Sequence, residues 1–179
     1  MDGIFSLAQQ IGFEKSARLN MSSLIFKDEV RAMCKENKCS NYGRSWSCPP
    51  ACGSLDEIAA KVAPYKNGVI VRTVGKMGDE FDMECIVRTE KKHKARFDTL
   101  VRQTKMFYPD CFPMASGVCK RCRKCTYPQR SCRFPDRMYP SMEACGLIVR
   151  DVCKASGIDY YNGKNTITFI SCILLEKEK

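Results

Sequence analysis

Histidine and tryptophan are scarce in this sequence, which contains one residue of each among 179. The single histidine, His93, lies within the basic run Lys91–Lys94. A Cys–His nucleophilic pair, a histidine-ligated zinc centre and a Rieske-type centre all need histidine, so they are hard to build from this chain. We expect the basic run to form a solvated helix face, with docking of a partner or an anionic ligand as the alternative.

Long apolar runs are also absent, since no stretch approaches the ~18 residues that a transmembrane helix requires. Residues Met1–Phe5 show neither the basic segment nor the apolar segment of a secretory leader, so we expect a cytoplasmic protein. The phosphate-binding patterns G-x-G-x-x-G and Walker A do not occur, and neither does the Cys-x3-Cys-x2-Cys triad of radical S-adenosylmethionine enzymes. A nucleotide site within this chain is therefore not expected.

Cysteine, in contrast, is abundant, with 13 residues in the chain. A chain of this length buries enough apolar surface to fold without covalent cross-links. In a reducing cytoplasm, clustered cysteines bind metal or perform redox chemistry more often than they form disulfides. We therefore interpret the clustered cysteines first as metal ligands.

The more diagnostic cluster lies in a segment that we name loop two (residues 119–135). It contains the motif Cys119-x2-Cys122-x2-Cys125-x6-Cys132. Cysteines three residues apart can surround one corner of a cubane, because each short turn directs backbone N–H groups toward inorganic sulfide and offers one thiolate per iron. Zinc sites are more commonly built from two separated Cys-x2-Cys pairs. The spacing favours a [4Fe–4S] cluster over zinc, and zinc over no metal.

A second cluster is predicted in the segment that we name loop one (residues 34–53). Proline directly follows one of its cysteines, at Pro49, where it fixes the turn and removes an N–H donor, as it does after ferredoxin ligands. Tyr42 and Trp46 lie between the cysteines and either shield a cluster from water or simply pack the loop. We predict one four-cysteine site, with zinc in a partly structural role as the alternative, and its ligands are Cys34, Cys39, Cys48 and Cys52.

Five cysteines remain outside the two loops. Cys145 and Cys153 fall on an apolar helical stripe and Cys172 on a strand face, so we expect buried, inert thiols. Cys52 has the weakest claim of the eight predicted ligands. If it is not a ligand, the candidates to replace it are Cys145, Cys85 and Cys111.

Apolar periodicity and turn residues predict helices that alternate with strands. We expect helices at 2–12, 54–63, 79–108 and 141–157, and strands at 24–26, 68–74, 114–118 and 166–175. Ser54 and Glu57 occupy the positions of a capping box. The pattern indicates one domain over residues 1–179 of α/β or α+β class, with a single sheet of about four strands, flanking helices and two cysteine-rich loops.

The net charge of +10 would ordinarily suggest an anionic partner. Two four-thiolate clusters would each contribute about −2, which lowers the net charge to about +6. Basic residues also fill the gaps between the cysteines of loop two, where they either compensate thiolate charge or dock an acidic electron carrier such as ferredoxin or flavodoxin. Nucleic acid is a disfavoured partner, and the gap residues are Lys120, Arg121, Arg123 and Lys124.

Three segments together resemble a known family. They are Cys39-Ser-Asn-Tyr-Gly-Arg-Ser-Trp-Ser-Cys-Pro-Pro50, the cysteine motif of loop two with Arg133 and Pro135, and Pro140-Ser-Met-Glu-Ala-x-Gly146. They resemble the cysteine-rich family of predicted metal-binding proteins that carry a domain of unknown function and are frequent in anaerobic microbes. The resemblance spans residues 30–150 and implies cytoplasmic iron–sulfur binding. The chain differs from the expected pattern at Ser40, where glycine is expected, and at residues 147–149, where Leu-Ile-Val replaces Ile-Asp-Val.

Together these observations predict an iron–sulfur protein with two [4Fe–4S] clusters that acts in electron transfer or as a redox subunit for an unknown acceptor. The first alternative is a zinc-stabilised module that binds nucleic acid or protein. The second is a cluster-dependent enzyme in which one iron keeps an open position for substrate.

Overall fold

The computed structural model describes residues 2–177, which fold around one antiparallel sheet of four strands in the order β1-β2-β4-β3. The strands are β1 (Lys15–Arg18), β2 (Tyr65–Lys76), β3 (Phe112–Met114) and β4 (Thr166–Lys177). The α-helices are α1 (Asp2–Ile11), α2 (Asp28–Lys35), α3 (Leu55–Val62), α4 (Met83–Thr104) and α5 (Val149–Ala155). The predicted fold class is confirmed, in its α+β form, because every strand pair is antiparallel.

The sheet carries a separate apolar core on each face, because successive side chains of a strand point to opposite sides. On β2, Val69 and Val71 pack with α1 and α4, whereas Ile70 packs with α3 and α5. We call the core beside α1 and α4 the first core and the core beside α3 and α5 the second core. On β4, Ile173 belongs to the first core and Cys172 to the second. The long helix α4 thus lies along one face of the two longest strands.

Several sequence predictions are confirmed in detail. Helix α3 begins after Ser54, whose side chain accepts a hydrogen bond from the N–H of Glu57, and the reciprocal bond from Glu57 completes the capping box. Strand β4 is central, since it pairs with both β2 and β3. The cysteine-rich segments after α2 and after β3 are irregular, as their glycine, proline and serine content predicted.

Other boundaries were wrong. Residues 24–26 form no strand, and the side chains of Leu24 and Phe26 instead pack against the second core from an irregular segment. Helix α4 begins at Met83 because the carboxylate of Asp82 accepts hydrogen bonds from the N–H groups of Cys85 and Gly78. Helix α5 begins at Val149 because a turn that ends at Gly146, with φ of +86°, occupies the preceding residues.

Candidate metal centres

The fold places the two cysteine-rich loops on connections between regular elements. Loop one leaves the last turn of α2 and ends at α3. Loop two lies within the excursion from β3 to α5, which is closed at its base by a parallel bridge between Ala115 and Ser141. There the N–H of Met142 donates to the carbonyl of Ala115 at 3.1 Å. Both loops therefore have a fixed entry and exit.

Burial of the loop-one cysteines is graded. Cys48 and Cys52 are buried, Cys34 is half-buried at the end of α2, and Cys39 is exposed. The segment after loop two lies against this site, because the thiol of Cys52 is 3.7 Å from the carbonyl oxygen of Ala144. The corresponding contact of Cys34, with Glu143, is 4.0 Å.

Gly146 permits this approach of the segment to loop one. A Cβ at Gly146 would lie 2.6 Å from Leu55 and 3.2 Å from the backbone nitrogen of Lys27. The nitrogen of Lys27 donates to the carbonyl of Gly146 at 2.9 Å. Glycine is therefore required here both for its backbone conformation and for its lack of a side chain.

The four thiols of loop one influence one another electrostatically. Burial is the main cause that raises the pKa of Cys48 to about 11, and Cys39, Cys52 and Cys34 add to it. Burial also raises the pKa of Cys34, with smaller contributions from Cys39 and Cys52, against the opposing charge of Arg31. The thiols of loop one are thus close enough for Cys39 and Cys52 to contribute to the pKa shifts of Cys34 and Cys48.

Arg31 is a residue near the loop-one thiols that sequence reasoning missed. Its guanidinium opposes the effect of burial on the pKa of Cys34 and of Cys52. One Nη donates to the carbonyl of Gly53 at 2.7 Å, while the buried Nε has no hydrogen-bond partner within the described residues. Burial raises the pKa of Cys52, and a side-chain hydrogen bond from Arg31 also opposes this rise, so this guanidinium lies directly beside a predicted ligand.

The four cysteines of loop two line a single cavity of about 240 Å³. All four are half-buried. Ser45 and Trp46 of loop one complete the wall of the same cavity, which therefore lies between the two loops. Its cysteines are Cys119, Cys122, Cys125 and Cys132.

Cys125 is surrounded by hydrogen-bond donors. Burial raises its pKa, but hydrogen bonds outweigh burial, so the pKa of this thiol is lowered overall. The donors are the N–H groups of Tyr127, Trp46 and Thr126 and the hydroxyl of Ser45. Donors that stabilise a thiolate are the environment expected of a cluster ligand.

Two buried serines of loop one join the loops. The hydroxyl of Ser47 accepts a hydrogen bond from the N–H of Cys119 at 2.9 Å and lies 3.9 Å from the Cys48 thiol. Ser45 and Ser47 are hydrogen-bonded to each other at 3.0 Å. Cys48 of one predicted ligand set is thus connected through a single side chain to Cys119 of the other.

Trp46, a residue of loop one, also contacts loop two. Its indole N–H donates to the carbonyl of Arg130 at 3.2 Å, and its ring packs edge-on against Tyr127 with centroids 5.0 Å apart. Tyr42, by contrast, has its backbone N–H bonded to the side chain of Asn37 within loop one.

Two carboxylates of α4 bind basic residues of loop two. Glu90 pairs with Lys120, and Asp98 pairs with Arg121 and with Arg137, which follows the loop. Burial alone would raise the pKa of Asp98, but hydrogen bonds from the two arginines lower it. Of the four basic residues between the loop-two cysteines, Lys120 and Arg121 therefore pair with carboxylates of α4. The sequence pattern did not indicate these pairs.

The expectation of a solvated face at His93 was wrong. His93 has no exposed surface, and its ring nitrogens are hydrogen-bonded to Thr73 at 2.9 Å and to Ser171 at 2.8 Å. The spacing of Thr89, His93 and Phe97 on α4 is four residues, which places them on one helix face. That periodicity was the available signal, and the neighbouring lysines obscured it.

The five remaining cysteines are buried, and all thirteen are free thiols. Cys145, Cys153 and Cys172 belong to the second core, as expected, although Cys145 lies in the turn before α5 and not on a helix. Burial raises the pKa of Cys145, and the next contribution comes from Cys52. Cys145 is thus a neighbour of loop one, whereas Cys85 donates to the carbonyl of Lys76 at 3.1 Å on β2.

Within residues 2–177, no three Cys, His, Asp or Glu side chains are grouped closely enough to hold a single metal ion. In the same part of the chain, no helix has the length and apolar character that a membrane crossing requires.

These features define a small α+β protein with two cysteine-rich loops that contact each other. The chain matches the DUF2284 family of predicted metal-binding proteins over residues 17–175, and it belongs to this family. No curated protein and no solved structure matches it. The resemblance drawn from the cysteine motifs is therefore confirmed, and metal binding is the function that the family supports.

Ser40 occupies the position in loop one at which the family pattern led us to expect glycine. Its φ is +58°, in the left-handed region that glycine adopts most readily. A short polar side chain tolerates this region better than a branched one, because it has little bulk near the backbone. The expected glycine thus corresponds to a backbone requirement that serine meets here.

Proposed function

We propose that this chain is a cytoplasmic iron–sulfur protein that holds two [4Fe–4S] clusters in one domain and acts in electron transfer. Loop one supplies Cys34, Cys39, Cys48 and Cys52, and loop two supplies Cys119, Cys122, Cys125 and Cys132. The observation that carries the proposal is the cavity in loop two, which is lined by all four cysteines of one closely spaced motif.

The size of this cavity supports a cluster over a single ion. Its volume is about 240 Å³, whereas one water occupies about 30 Å³ in the liquid. Four thiolates bound directly to one zinc ion at about 2.3 Å leave no such space between them. A cavity of this size, which the four thiols line together with other residues of both loops, has room for a multi-atom inorganic group.

The surrounding chain supplies what a cluster needs. A [4Fe–4S] cluster supplies reversible one-electron transfer when it is bound. The N–H groups at Cys125 and the unpaired Nε of Arg31 are donors for sulfur, and such donors stabilise the more negative state of a redox site. The link from Cys48 through Ser47 to Cys119 keeps the two sites adjacent, as serial electron transfer requires.

We further propose that an acidic redox protein, such as a ferredoxin or flavodoxin, docks over Cys122. A shallow cavity there is lined by Arg123, Lys124, Arg133 and Phe134. The side chains of Arg123 and Lys124 are exposed and have no ion pair within the described residues. Unpaired surface cations beside a redox site attract an acidic partner and set its orientation.

Metal analysis of protein purified without oxygen tests the cluster proposal. We expect about eight irons and eight sulfides per chain and a broad brown absorption band near ~400 nm. A colourless protein with one or two zincs and no iron would refute it and support the zinc-stabilised binding module.

Paired cysteine substitutions test the ligand assignment of loop one. Cys52→Ala should remove about four of the irons, because a cubane lacking one of its thiolates is lost more readily. Cys145→Ala, the matched control, removes a buried thiol next to the same site and should leave the iron content unchanged. The reverse pattern would replace Cys52 by Cys145 as the fourth ligand.

A further inference from the structure

A second cavity, of about 460 Å³, adjoins the loop-two site and is distinct from the cavity that the four loop-two cysteines line. It lies between the exposed flank of α4 and the residues that lead from β3 into loop two. Cys119 lines both this cavity and the cavity of the four thiols. A molecule held here would therefore be next to the proposed cluster without occupying its position.

The volume suits a small organic molecule. Small-molecule sites are concave, mostly apolar and fall between about 300 and 1,000 Å³. The apolar wall of this cavity includes Val87, Ala95, Phe97 and Val118, and Tyr139 adds an aromatic ring. His93 and Ser171, which are fully buried and hydrogen-bonded to each other, also line the cavity.

The charged side chains in the cavity wall favour an anionic ligand. Two carboxylates, Glu90 and Asp98, are each bound by two of the cations that line the cavity. The cavity is also lined by Lys91, which is exposed and has no partner within the described residues. Cationic side chains thus exceed carboxylates by five to two, and they are Lys91, Lys94, Lys120, Arg121 and Arg137.

We propose that this cavity binds a small organic carboxylate with an apolar or aromatic body. The carboxylate lies toward Lys91 and the arginines, and the body lies against Phe97, Ala95 and Val118. Arg121 and Arg137 each use only part of their guanidinium for Asp98, so further N–H donors remain for an anion. The proposal goes beyond electron transfer, because it assigns the chain a ligand.

Fluorine NMR of 4-fluorobenzoate, titrated with the protein as purified without oxygen, tests this proposal. We expect saturable binding of 4-fluorobenzoate and at least tenfold weaker binding of the neutral 4-fluorobenzamide. Ala95→Trp, which fills the cavity from an exposed helix position, should abolish binding, whereas Ala95→Ser should retain it.

Two lysines on the same helix provide a matched charge test. Lys91→Gln should weaken binding of 4-fluorobenzoate about two- to fivefold, the range for one exposed ion pair. Lys92→Gln should leave binding unchanged, because Lys92 lies outside the cavity and pairs with Glu14. Equal binding of the amide, no binding of 4-fluorobenzoate, or normal binding by Ala95→Trp would overturn the proposal.

The same spectra separate this proposal from the cluster assignment. After reduction of the protein, a paramagnetic cluster next to Cys119 should broaden the fluorine resonance of bound 4-fluorobenzoate. Saturable binding without broadening, in protein that lacks iron, would refute the cluster and leave the carboxylate site standing. Iron-containing protein that does not bind 4-fluorobenzoate would refute the carboxylate site and leave the cluster proposal standing.

Discussion

At the scale of single residues, His93 is a fully buried titratable group outside the cysteine loops. Its ring is enclosed by Phe13 and Phe97, and both nitrogens are bonded to hydroxyls. Burial lowers its pKa from 6.5 to about 3, with smaller contributions from the cations Lys94 and Arg96. The imidazole is therefore neutral at physiological pH and serves as an internal hydrogen-bonding group.

This pKa shift predicts that the protein loses stability in mild acid. Between about pH 6.5 and 3 the unfolded chain binds a proton at His93 that the folded chain does not bind, so the free energy of unfolding falls as pH falls. The contribution of His93 approaches about 1.4 kcal/mol per pH unit well below pH 6.5. Denaturant unfolding at several pH values would measure it.

His93→Gln is the control for this pH dependence, because an amide can bond to Thr73 and Ser171 but does not titrate in this range. The variant should be less stable than the parent at neutral pH, and the difference should shrink steadily toward about pH 4.5. Parallel pH profiles for the two proteins would show that His93 already titrates normally in the fold.

At the scale of elements, helix α4 holds loop two in place. Its buried face packs on β2 and β4, while its outer flank presents Glu90 and Asp98, about two turns apart, to the cations around the cysteine motif. Asp98 also contacts the hydroxyl of Tyr139 at 3.5 Å. Helix α4 thus attaches loop two, which has no regular secondary structure, to the sheet.

Asp98→Asn tests this role of α4. Arg121 and Arg137 would both lose their carboxylate, and we expect the free energy of unfolding to fall by about 1–3 kcal/mol. Iron should also be lost faster from loop two than from loop one when a chelator is added. Denaturant unfolding and the time course of iron release would measure the two effects.

The comparison for Asp98→Asn is Glu84→Gln, on the same helix. Glu84 pairs with Arg88 at 3.4 Å, and both side chains are exposed, so this loss should change stability by less than about 0.5 kcal/mol. Iron release from Asp98→Asn at the parental rate would mean that α4 does not hold the loop.

At the scale of the whole molecule, some of the basic residues are paired with carboxylates or lie beside thiols, whereas others are exposed to solvent. Lys120 and Arg121 pair with carboxylates of α4, and Arg31 lies among the loop-one thiols. Arg123 and Lys124 remain exposed over Cys122. The net charge of +10 is therefore not evenly available to a partner.

Removal of the two exposed cations tests the docking proposal. The double variant Arg123→Gln/Lys124→Gln should accept electrons from a reduced ferredoxin or flavodoxin about tenfold more slowly at low salt, because steering by unpaired charges raises association rates. The difference should disappear at high ionic strength, where such charges are screened. Stopped-flow absorption at the cluster band would record the rates.

Lys15→Gln/Arg18→Gln is the matched control for this experiment. It removes the same charge from β1, at the opposite edge of the sheet from β3 and loop two. Equal slowing of both double variants would indicate attraction by net charge alone and would rule out a docking face over Cys122.

The sequence by itself determined the fold class, the family and several of the elements, such as α3 and β4, since these depend on local patterns. The capping box at Ser54 and the alternation of β4 act within a few residues, and the match to the family extends over residues 17–175. Strand β1 had no such pattern, because Lys15–Arg18 becomes a strand only by pairing with β2.

Only the tertiary structure decided how the loops are assembled. The bonds from Ser47 to Cys119 and from Asp98 to Arg121 join residues 72 and 23 positions apart, and the burial of His93 depends on Ser171, 78 positions away. Helix periodicity can indicate that His93 is buried, but the partner in each of these contacts depends on where two separate segments meet after folding. Local spacing therefore predicts which cysteines bind metal, while packing around the sheet determines their neighbours.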